Sequence, residues 1–339
     1  MTQQAPRPVV AVLATGGTIA MTAAKAEAGA TPRLTGEDLV AAVPGLAGSG
    51  IDVTVRNIQQ APGASITPTD MFAVAAVARA EIAAGAAGVV VTQGTDTIEE
   101  TAYFLDLVHD GLAPIVVTGA MRNPSLAGAD GPANLLAAVQ TAASATARGL
   151  GGVVVFGNEI HEGRWVRKTH SVSPHTFASP DVGPVGYLLE GRPRLLRGVS
   201  RQTKVHVPAT GAGPGHRIAL VTMTFDDDGE LLRRIDEASF AGVVLAAFGA
   251  GHVPAGTVPI LADLAARMPV VLTSRTGSGP VLTDTYGFAG SERDLLDHGL
   301  INAGFLHPFK ARILLYLLTA TDTPRAQLAE AFRTAGAVP

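Results

Sequence analysis

Short apolar runs alternate with longer helical stretches along the first half of the chain. Most of the runs are continuously apolar and rich in Val, Ile and Ala, which is typical of strands buried on both faces. Five are predicted as strands: 9–14, 51–56, 88–92, 115–118 and 153–156. Four helices are predicted between them: 36–43, 68–84, 98–109 and 132–148. This alternation predicts a parallel sheet with helices on both faces.

Two of these helices have recognisable N-terminal signals. Thr67 precedes a proline at the first helical position, which predicts an N-cap at this threonine. Thr97 is followed by Glu100 at the spacing of a capping box. These signals place residues 93–97 in the loop between the strand 88–92 and the next helix.

The pattern breaks at about 190–216, where Pro, Gly and Arg dominate, and then resumes. The later strands are predicted at 218–223, 243–247 and 270–273, and the later helices at 231–237, 257–267, 308–319 and 324–334. The predicted fold class is α/β. A larger N-terminal parallel-sheet α/β domain at 1–190 is followed by a linker at 191–215 and a smaller C-terminal α/β domain at 216–339.

Composition excludes several classes of function. The 339 residues contain no Cys, so disulfides, thiol catalysis and Cys-ligated zinc are excluded. The net charge of −4 and the single Trp make nucleic-acid binding a poor hypothesis. No apolar run is long enough to cross a bilayer, and the run 9–14 is too short for a signal peptide, so we expect a cytoplasmic protein without a membrane partner. The nine histidines show no metal-ligand spacing, and no metal site is predicted.

Two Gly–Thr loops follow predicted strands, TGGTIA at 15–20 and TQGTDT at 92–97. Each places threonines at the carboxyl end of a parallel strand, where ligands bind in such sheets. Glycines beside them let a ligand approach the backbone. Two hydroxyls and a carboxylate in one crevice could perform nucleophilic acyl transfer. Alternatively, these residues could serve only as caps and turns.

A threonine nucleophile needs a base, and Lys168 is the candidate. The chain has 25 Lys and Arg, of which only four are lysines (Lys25, Lys168, Lys204 and Lys310) and 21 are arginines. A desolvated lysine can lose its proton, whereas an arginine cannot. The alternative is that Lys168 is an ordinary surface lysine.

Several segments together resemble one family over essentially the whole chain. They are TGGTIA at 15–20, QGTDTIEETAYFLD at 93–106, GAMR at 119–122, ADGPANL at 129–135, Lys168-Thr169 and PFKAR at 308–312. In these segments the chain resembles the bacterial-type L-asparaginases and glutaminase-asparaginases. The resemblance implies a larger and a smaller α/β domain and a homo-oligomer, usually a tetramer built from two dimers. It also implies hydrolysis of the side-chain amide of asparagine, and in some members of glutamine, without a cofactor.

The resemblance also implies catalytic roles. Thr18 is the implied nucleophile that forms an acyl-enzyme, and Thr95 forms a second catalytic group with Asp96 and Lys168. Asp96 would in addition bind the substrate α-ammonium group. Backbone N–H groups near Thr95 and Ala120 would polarise the amide carbonyl. Which threonine attacks first stays open.

This chain departs from the family at two places. The lid segment after the first loop usually carries a Tyr that assists the nucleophile, but its counterpart here falls near Gly29, and the first Tyr of the chain is Tyr103. The segment that binds the substrate carboxylate usually has a Ser followed by a polar residue, and Gly63 and Ala64 fall at those positions. The remaining candidates for substrate binding nearby are Ser65, Gly94, Gln59, Gln60 and backbone N–H groups.

In the family, the neighbouring subunit lends a carboxylate to the substrate ammonium. Glu292 falls at that position, and His252 falls near an inter-subunit Asn of the family. Three functions are therefore open: an L-asparaginase, a glutaminase-asparaginase of broader ω-amide specificity, and, from a different class, a small-amino-acid-binding protein on the same scaffold.

Overall fold

The computed structural model describes residues 6–17, 19, 21–22, 31–32, 34–199, 204–207, 216–235 and 239–338. The chain divides into two compact units, Met1–Arg201 and Gln202–Pro339, called here the N-terminal and the C-terminal unit. Across the described ranges, no helix combines the length and the apolar character that a membrane span requires.

The N-terminal unit is built on one large sheet. Its strands are β1 (Val9–Ala14), β2 (Met21–Thr22), β3 (Thr31–Pro32), β4 (Asp52–Asn57), β5 (Gly88–Thr92), β6 (Ile115–Thr118), β7 (Gly152–Phe156), β8 (Glu159–Glu162), β9 (Arg167–Lys168), β10 (Phe177–Ala178), β11 (Gly186–Leu189) and β12 (Arg192–Leu195). Its helices are α1 (Gly36–Ala41), α2 (Pro68–Ala83), α3 (Ile98–Val108) and α4 (Gly131–Ala143). Eight strands form the sheet in the order β12-β11-β8-β7-β6-β5-β1-β4.

The middle of this sheet is parallel, as the sequence predicts. The five predicted strands correspond to β1, β4, β5, β6 and β7, which pair with parallel neighbours. Val10 and Val12 pack with α1 and α4 in one apolar cluster. The alternate residues Ala11 and Leu13 are also fully buried, so both faces of β1 are covered. The α/β prediction for this half of the chain is confirmed.

The order of the strands defines where a ligand can bind. β4 lies on one side of β1, and β5, the next strand of the sheet along the chain, lies on the other side. The strand order therefore reverses at β1. In open parallel sheets, ligands bind at such a reversal, outside the carboxyl ends of the strands.

Antiparallel strands that the sequence does not predict extend the sheet beyond β7. β8, β11 and β12 join it as hairpins. β12 lies within the stretch 191–215, which the sequence predicts as a linker. Glu190 and Gly191 both have positive φ, 50° and 71°, as a two-residue type I′ hairpin turn requires. This turn folds the Pro- and Arg-rich stretch back onto β11 as the edge strand.

The C-terminal unit has a four-stranded sheet of its own. Its strands, in sheet order, are β13 (Ile218–Thr222), β14 (Gly242–Ala247), β15 (Val270–Ser274) and β16 (Ile301–Asn302). Its helices are α5 (Glu230–Arg233), α6 (Val258–Arg267), α7 (Glu292–Asp297), α8 (Pro308–Ala320) and α9 (Arg325–Ala335). The strands are parallel, and a separate apolar cluster packs against them. The second α/β unit is therefore confirmed, while β16 and α7 are too short for the pattern to predict.

Candidate active site

Three loops meet at the carboxyl ends of β4, β1 and β5. The backbone N–H and the hydroxyl of Thr15 both donate to the carbonyl of Thr92, at 3.0 and 2.9 Å. The carbonyl of Thr15 accepts from the N–H of Ala61 at 3.1 Å. The loop after β1 is thus held to both of its neighbours, and the two Gly–Thr motifs lie side by side.

Glycines allow these loops to approach backbone to backbone. Gly17 has a φ of +90°, and a Cβ built on it would lie 2.1 Å from the nitrogen of Gly94. A Cβ on Gly63 would lie 2.8 Å from the carbonyl oxygen of Gly94. Side chains cannot fit at these positions, so glycine is required for the loops to pack on each other through their backbones.

Thr97 does not form the predicted capping box. Its hydroxyl makes no capping hydrogen bond, and a 3₁₀ turn, Thr95–Thr97, precedes α3. The hydroxyl instead donates to the carbonyl of Gly63 at 2.8 Å and accepts from the side-chain amide of Gln93, also at 2.8 Å. The capping-box prediction is wrong because this hydroxyl joins the loop after β5 to the loop after β4. The prediction for Thr67 is confirmed, since that side chain accepts from the N–H of Asp70.

Lys168 brings the candidate catalytic side chains together. Its Nζ donates to Thr95 Oγ1 at 3.0 Å and to Asp96 Oδ1 at 2.8 Å. Thr95 is buried, the Lys168 side chain is 15% exposed, and the Asp96 side chain is 63% exposed. The arrangement puts a shielded hydroxyl next to an amine that can exchange a proton with it, with a carboxylate open to a ligand.

The hairpin of β9 and β10 positions Lys168. Phe177 lies opposite Lys168 in this hairpin and packs on Phe156 at the end of β7, with ring centroids 4.9 Å apart. Ser179, just after β10, is hydrogen-bonded to the buried His161 on β8 at 3.0 Å. Burial lowers the pKa of His161, against the opposing effect of the nearby Glu159 carboxylate. These contacts attach the hairpin to the antiparallel end of the large sheet.

The loop after β6 is held by two side chains for which the sequence predicts no role. The Asp130 carboxylate accepts from the N–H groups of Met121 and Arg122 at 3.0 and 2.8 Å. The side chain of Asn134 donates to the carbonyl of Gly119 at 3.0 Å. Ala120 is fully buried in this loop. Both side chains lie in the segment ADGPANL. The motif therefore points to these residues, but it does not show that they hold the loop after β6.

The other predicted site residues either lie outside the described residues or belong to the turn after β4. Thr18 lies outside the described residues, as do Lys25 and Gly29. Ala64 and Ser65 are exposed on the 3₁₀ turn Gly63–Ser65, with Gly63 buried beneath them. Within the described part of the chain, no three His, Asp or Glu side chains are grouped in a way that could hold a metal ion.

Glu292 is a fully buried carboxylate in the C-terminal unit. Its Oε1 accepts from the N–H groups of Thr285 and Tyr286 at 3.0 and 2.8 Å, and its Oε2 lies 3.2 Å from His252 Nε2. Burial acts to raise the pKa of this carboxyl, but the hydrogen bonds, led by that of Tyr286, bring it below its usual value. Glu292 is therefore charged and held in one orientation.

Two family models together match most of the chain. The model described as "Asparaginase, N-terminal" matches residues 9–200, and that described as "Glutaminase/Asparaginase C-terminal domain" matches residues 217–332. A "Probable L-asparaginase" of Deinococcus radiodurans is 35% identical, covering 96% of this chain and 97% of its own. A "Glutaminase-asparaginase" of Pseudomonas fluorescens biotype A is 32% identical, covering 92% of this chain and 87% of its own.

A solved structure agrees with the fold described above. The crystal structure of a "Probable Cytoplasmic L-asparaginase" from Campylobacter jejuni is 29% identical, with a TM-score of 0.85 over 96% of this chain and 99% of that chain. The family models thus match both halves of the chain, and the solved structure has the same fold. The chain belongs to the asparaginase family.

Proposed function

We propose that this protein is an L-asparaginase, which hydrolyses the side-chain amide of L-asparagine to L-aspartate and ammonia. The observation that carries the proposal is the Nζ of Lys168, which bridges the hydroxyl of Thr95 and the carboxylate of Asp96 at the carboxyl end of β5. The names of the relatives from D. radiodurans and C. jejuni support the same reaction.

The proposed reaction proceeds through a threonine acyl-enzyme and needs no cofactor. The hydroxyl of Thr18 gives up its proton and its oxygen bonds to the amide carbon, the C–N bond breaks, and the nitrogen leaves as ammonia after receiving that proton. Water then attacks the acyl-enzyme and releases aspartate. Thr95 and Lys168 exchange the protons, and backbone N–H groups of the loops that contain Thr95 and Ala120 stabilise the oxyanion.

Substrate recognition is proposed to use both charged ends of the amino acid. The exposed carboxylate of Asp96 binds the α-ammonium group, because the two groups have opposite charges. The segment of Gly63, Ala64 and Ser65, together with Gly94, binds the α-carboxylate through backbone N–H groups and the serine hydroxyl.

A second copy of the chain is proposed to complete the site. The charged Glu292 of a neighbouring subunit would approach the substrate ammonium, which makes the active protein a homo-oligomer, a dimer or a tetramer. The relative from C. jejuni supports a cytoplasmic location by its name. Sedimentation measures the assembly, and ammonia release measures the activity, of wild type and Glu292→Gln. Together they test whether the assembly and the activity depend on each other.

Ammonia release tests the proposed reaction directly. Wild type should release ammonia from L-asparagine, whereas Lys168→Met should lose about 10²–10⁴-fold in kcat, the usual contribution of an acid–base group. Thr18→Ala, which removes the nucleophile, should lose at least as much. Lys204→Met is the matched control for the loss of a lysine and should keep wild-type activity. Tight binding of aspartate without any turnover would instead favour the binding-protein hypothesis.

A broader ω-amide specificity is the second candidate, because a relative is named a glutaminase-asparaginase. Glutamine is longer than asparagine by one methylene, which a fitted pocket can discriminate by only about 1–3 kcal/mol. Side-by-side kcat/KM values for the two substrates separate the candidates. Equal values would reject a strict asparaginase.

A further inference from the structure

Lys168 lies on a strand of only two residues, so a long ladder does not fix its backbone. Phe177 lies opposite it on β10, and the next N–H group, that of Thr169, donates across the hairpin to the carbonyl of Thr176 at 2.7 Å. Successive residues of an antiparallel strand direct their N–H groups to opposite sides. The N–H of Lys168 therefore points away from β10 and needs an acceptor outside the hairpin.

Glu99 supplies that acceptor. Its Oε1 accepts from the N–H of Lys168 at 3.2 Å, across 69 residues of sequence. Glu99 lies in the first turn of α3 and is only 5% exposed. The 3₁₀ turn directly before α3 carries Thr95 and Asp96, the two hydrogen-bond partners of the Lys168 amine. One carboxylate thus joins the backbone of the lysine to the segment that holds both partners of its side chain.

A buried carboxylate at this point costs desolvation energy that a neutral acceptor would largely avoid. The first turn of α3 offsets part of that cost, because a helix N-terminus favours negative charge. The contact also closes a ring from the Lys168 backbone through Glu99 and the 3₁₀ turn back to the Lys168 side chain. Such a ring restricts the amine to one position with respect to the hydroxyl of Thr95.

We propose that Glu99 is a positioning residue for the reaction. It holds the backbone of Lys168 so that Nζ stays within hydrogen-bond distance of Thr95 Oγ1 and Asp96 Oδ1. This inference rests on the proposed function, in which Lys168 and Thr95 exchange a proton. Glu99 itself touches neither the substrate nor the reacting atoms.

Two substitutions of similar size separate positioning from simple packing. Glu99→Met removes the acceptor and should lower kcat for L-asparagine about 10–100-fold, because an error of about 1 Å in the position of a catalytic group costs that much. KM should change much less than kcat. Glu99→Gln keeps an oxygen that accepts the Lys168 N–H and should stay within about fivefold of wild-type kcat.

The control is Glu100→Met, which removes the next carboxylate of the same helical turn and should leave kcat near that of wild type. Thermal unfolding verifies that each variant folds. If Glu99→Met does not fold, Glu99→Asp replaces it, because the aspartate side chain is too short to reach Lys168. Wild-type kcat in a folded Glu99→Met or Glu99→Asp overturns the inference, provided that Lys168→Met is inactive in the same assay. Full activity of Lys168→Met would overturn the proposed function and this inference together.

Discussion

At the scale of single residues, the scarcity of lysine is informative only together with geometry. Lys310 is another of the four lysines and is fully buried in α8, so scarcity alone does not identify a candidate catalytic lysine. The argument for Lys168 comes from its amine, which lies between a hydroxyl and a carboxylate. An arginine would fill the same space with a guanidinium that cannot give up its proton.

Gly17 provides a prediction at this scale. Gly17→Ala should lower the free energy of unfolding by more than about 2 kcal/mol, because its φ is +90° and its Cβ would collide with the backbone of Gly94. Activity should fall as well, since the loops after β1 and β5 would be forced apart. Urea denaturation measures the first effect, and ammonia release measures the second.

Gly45→Ala separates strain from collision. Gly45 has a φ of +81°, but a Cβ built on it has nothing within 4 Å. This variant should therefore lose only about 1–2 kcal/mol, the cost of a left-handed conformation, and should keep its activity. If both variants are destabilised equally, the close approach of Gly17 and Gly94 is not what constrains the loop.

At the scale of elements, two threonines at helix starts have different roles. Thr67→Val should cost about 1 kcal/mol of stability, the usual value of an N-cap, with little change in activity per folded molecule. Thr97→Val should lower kcat/KM severalfold, because its hydroxyl links the loop of Gly63 to Gln93 rather than capping α3. Urea denaturation and ammonia release on both variants test this difference. An unchanged kcat/KM in Thr97→Val would contradict it.

The buried His161, which is hydrogen-bonded to Ser179 beside the Lys168 hairpin, provides a prediction about stability and pH. Burial lowers its pKa below the usual 6.5, so the folded protein binds fewer protons here than the unfolded chain at pH values between the two. The stability from this residue is therefore present above pH 6.5, the usual pKa, and is lost as the pH falls below that value and through the lowered pKa of the folded protein. The free energy of unfolding should drop less between pH 7 and pH 5 in His161→Gln than in wild type. Urea denaturation at the two pH values measures this, and an equal drop would contradict it.

The sequence predicts elements well where packing alone defines them. Four of the five parallel strands of the N-terminal unit, β1, β5, β6 and β7, are predictable because their apolar runs are almost wholly buried. The fifth, β4, lies at the edge of the sheet and is partly exposed. The hairpin of β9 and β10 is not predictable in this way, because each strand has only two residues and shows no repeating apolar pattern. It is held by contacts of Thr176, Phe177 and Glu99. Lys168 could therefore be named from its motif, whereas its contacts with α3 could not.

At the scale of the whole molecule, each of the two units has an apolar core of its own. The N-terminal core packs β1, β5, β6 and β7 against α1 and α4, and the C-terminal core packs β13, β14 and β15 against α6. Thr95, Asp96 and Lys168 all belong to the N-terminal unit, whereas Glu292 belongs to the C-terminal one. Independent cores imply that stability can be lost in one unit without equal loss in the other.

A matched pair of leucines tests this independence. Leu261 in α6 and Leu135 in α4 are both buried, each in the core of its own unit. Either leucine replaced by alanine should cost about 2–5 kcal/mol, from lost burial and the cavity left behind. In Leu261→Ala, hydrogen exchange should accelerate in β13, β14 and β15 while β1, β5 and β6 keep their protection, and Leu135→Ala should show the reverse. Equal acceleration in both units would mean that the two cores unfold in one step, since each substitution would then lower the same global barrier to exchange.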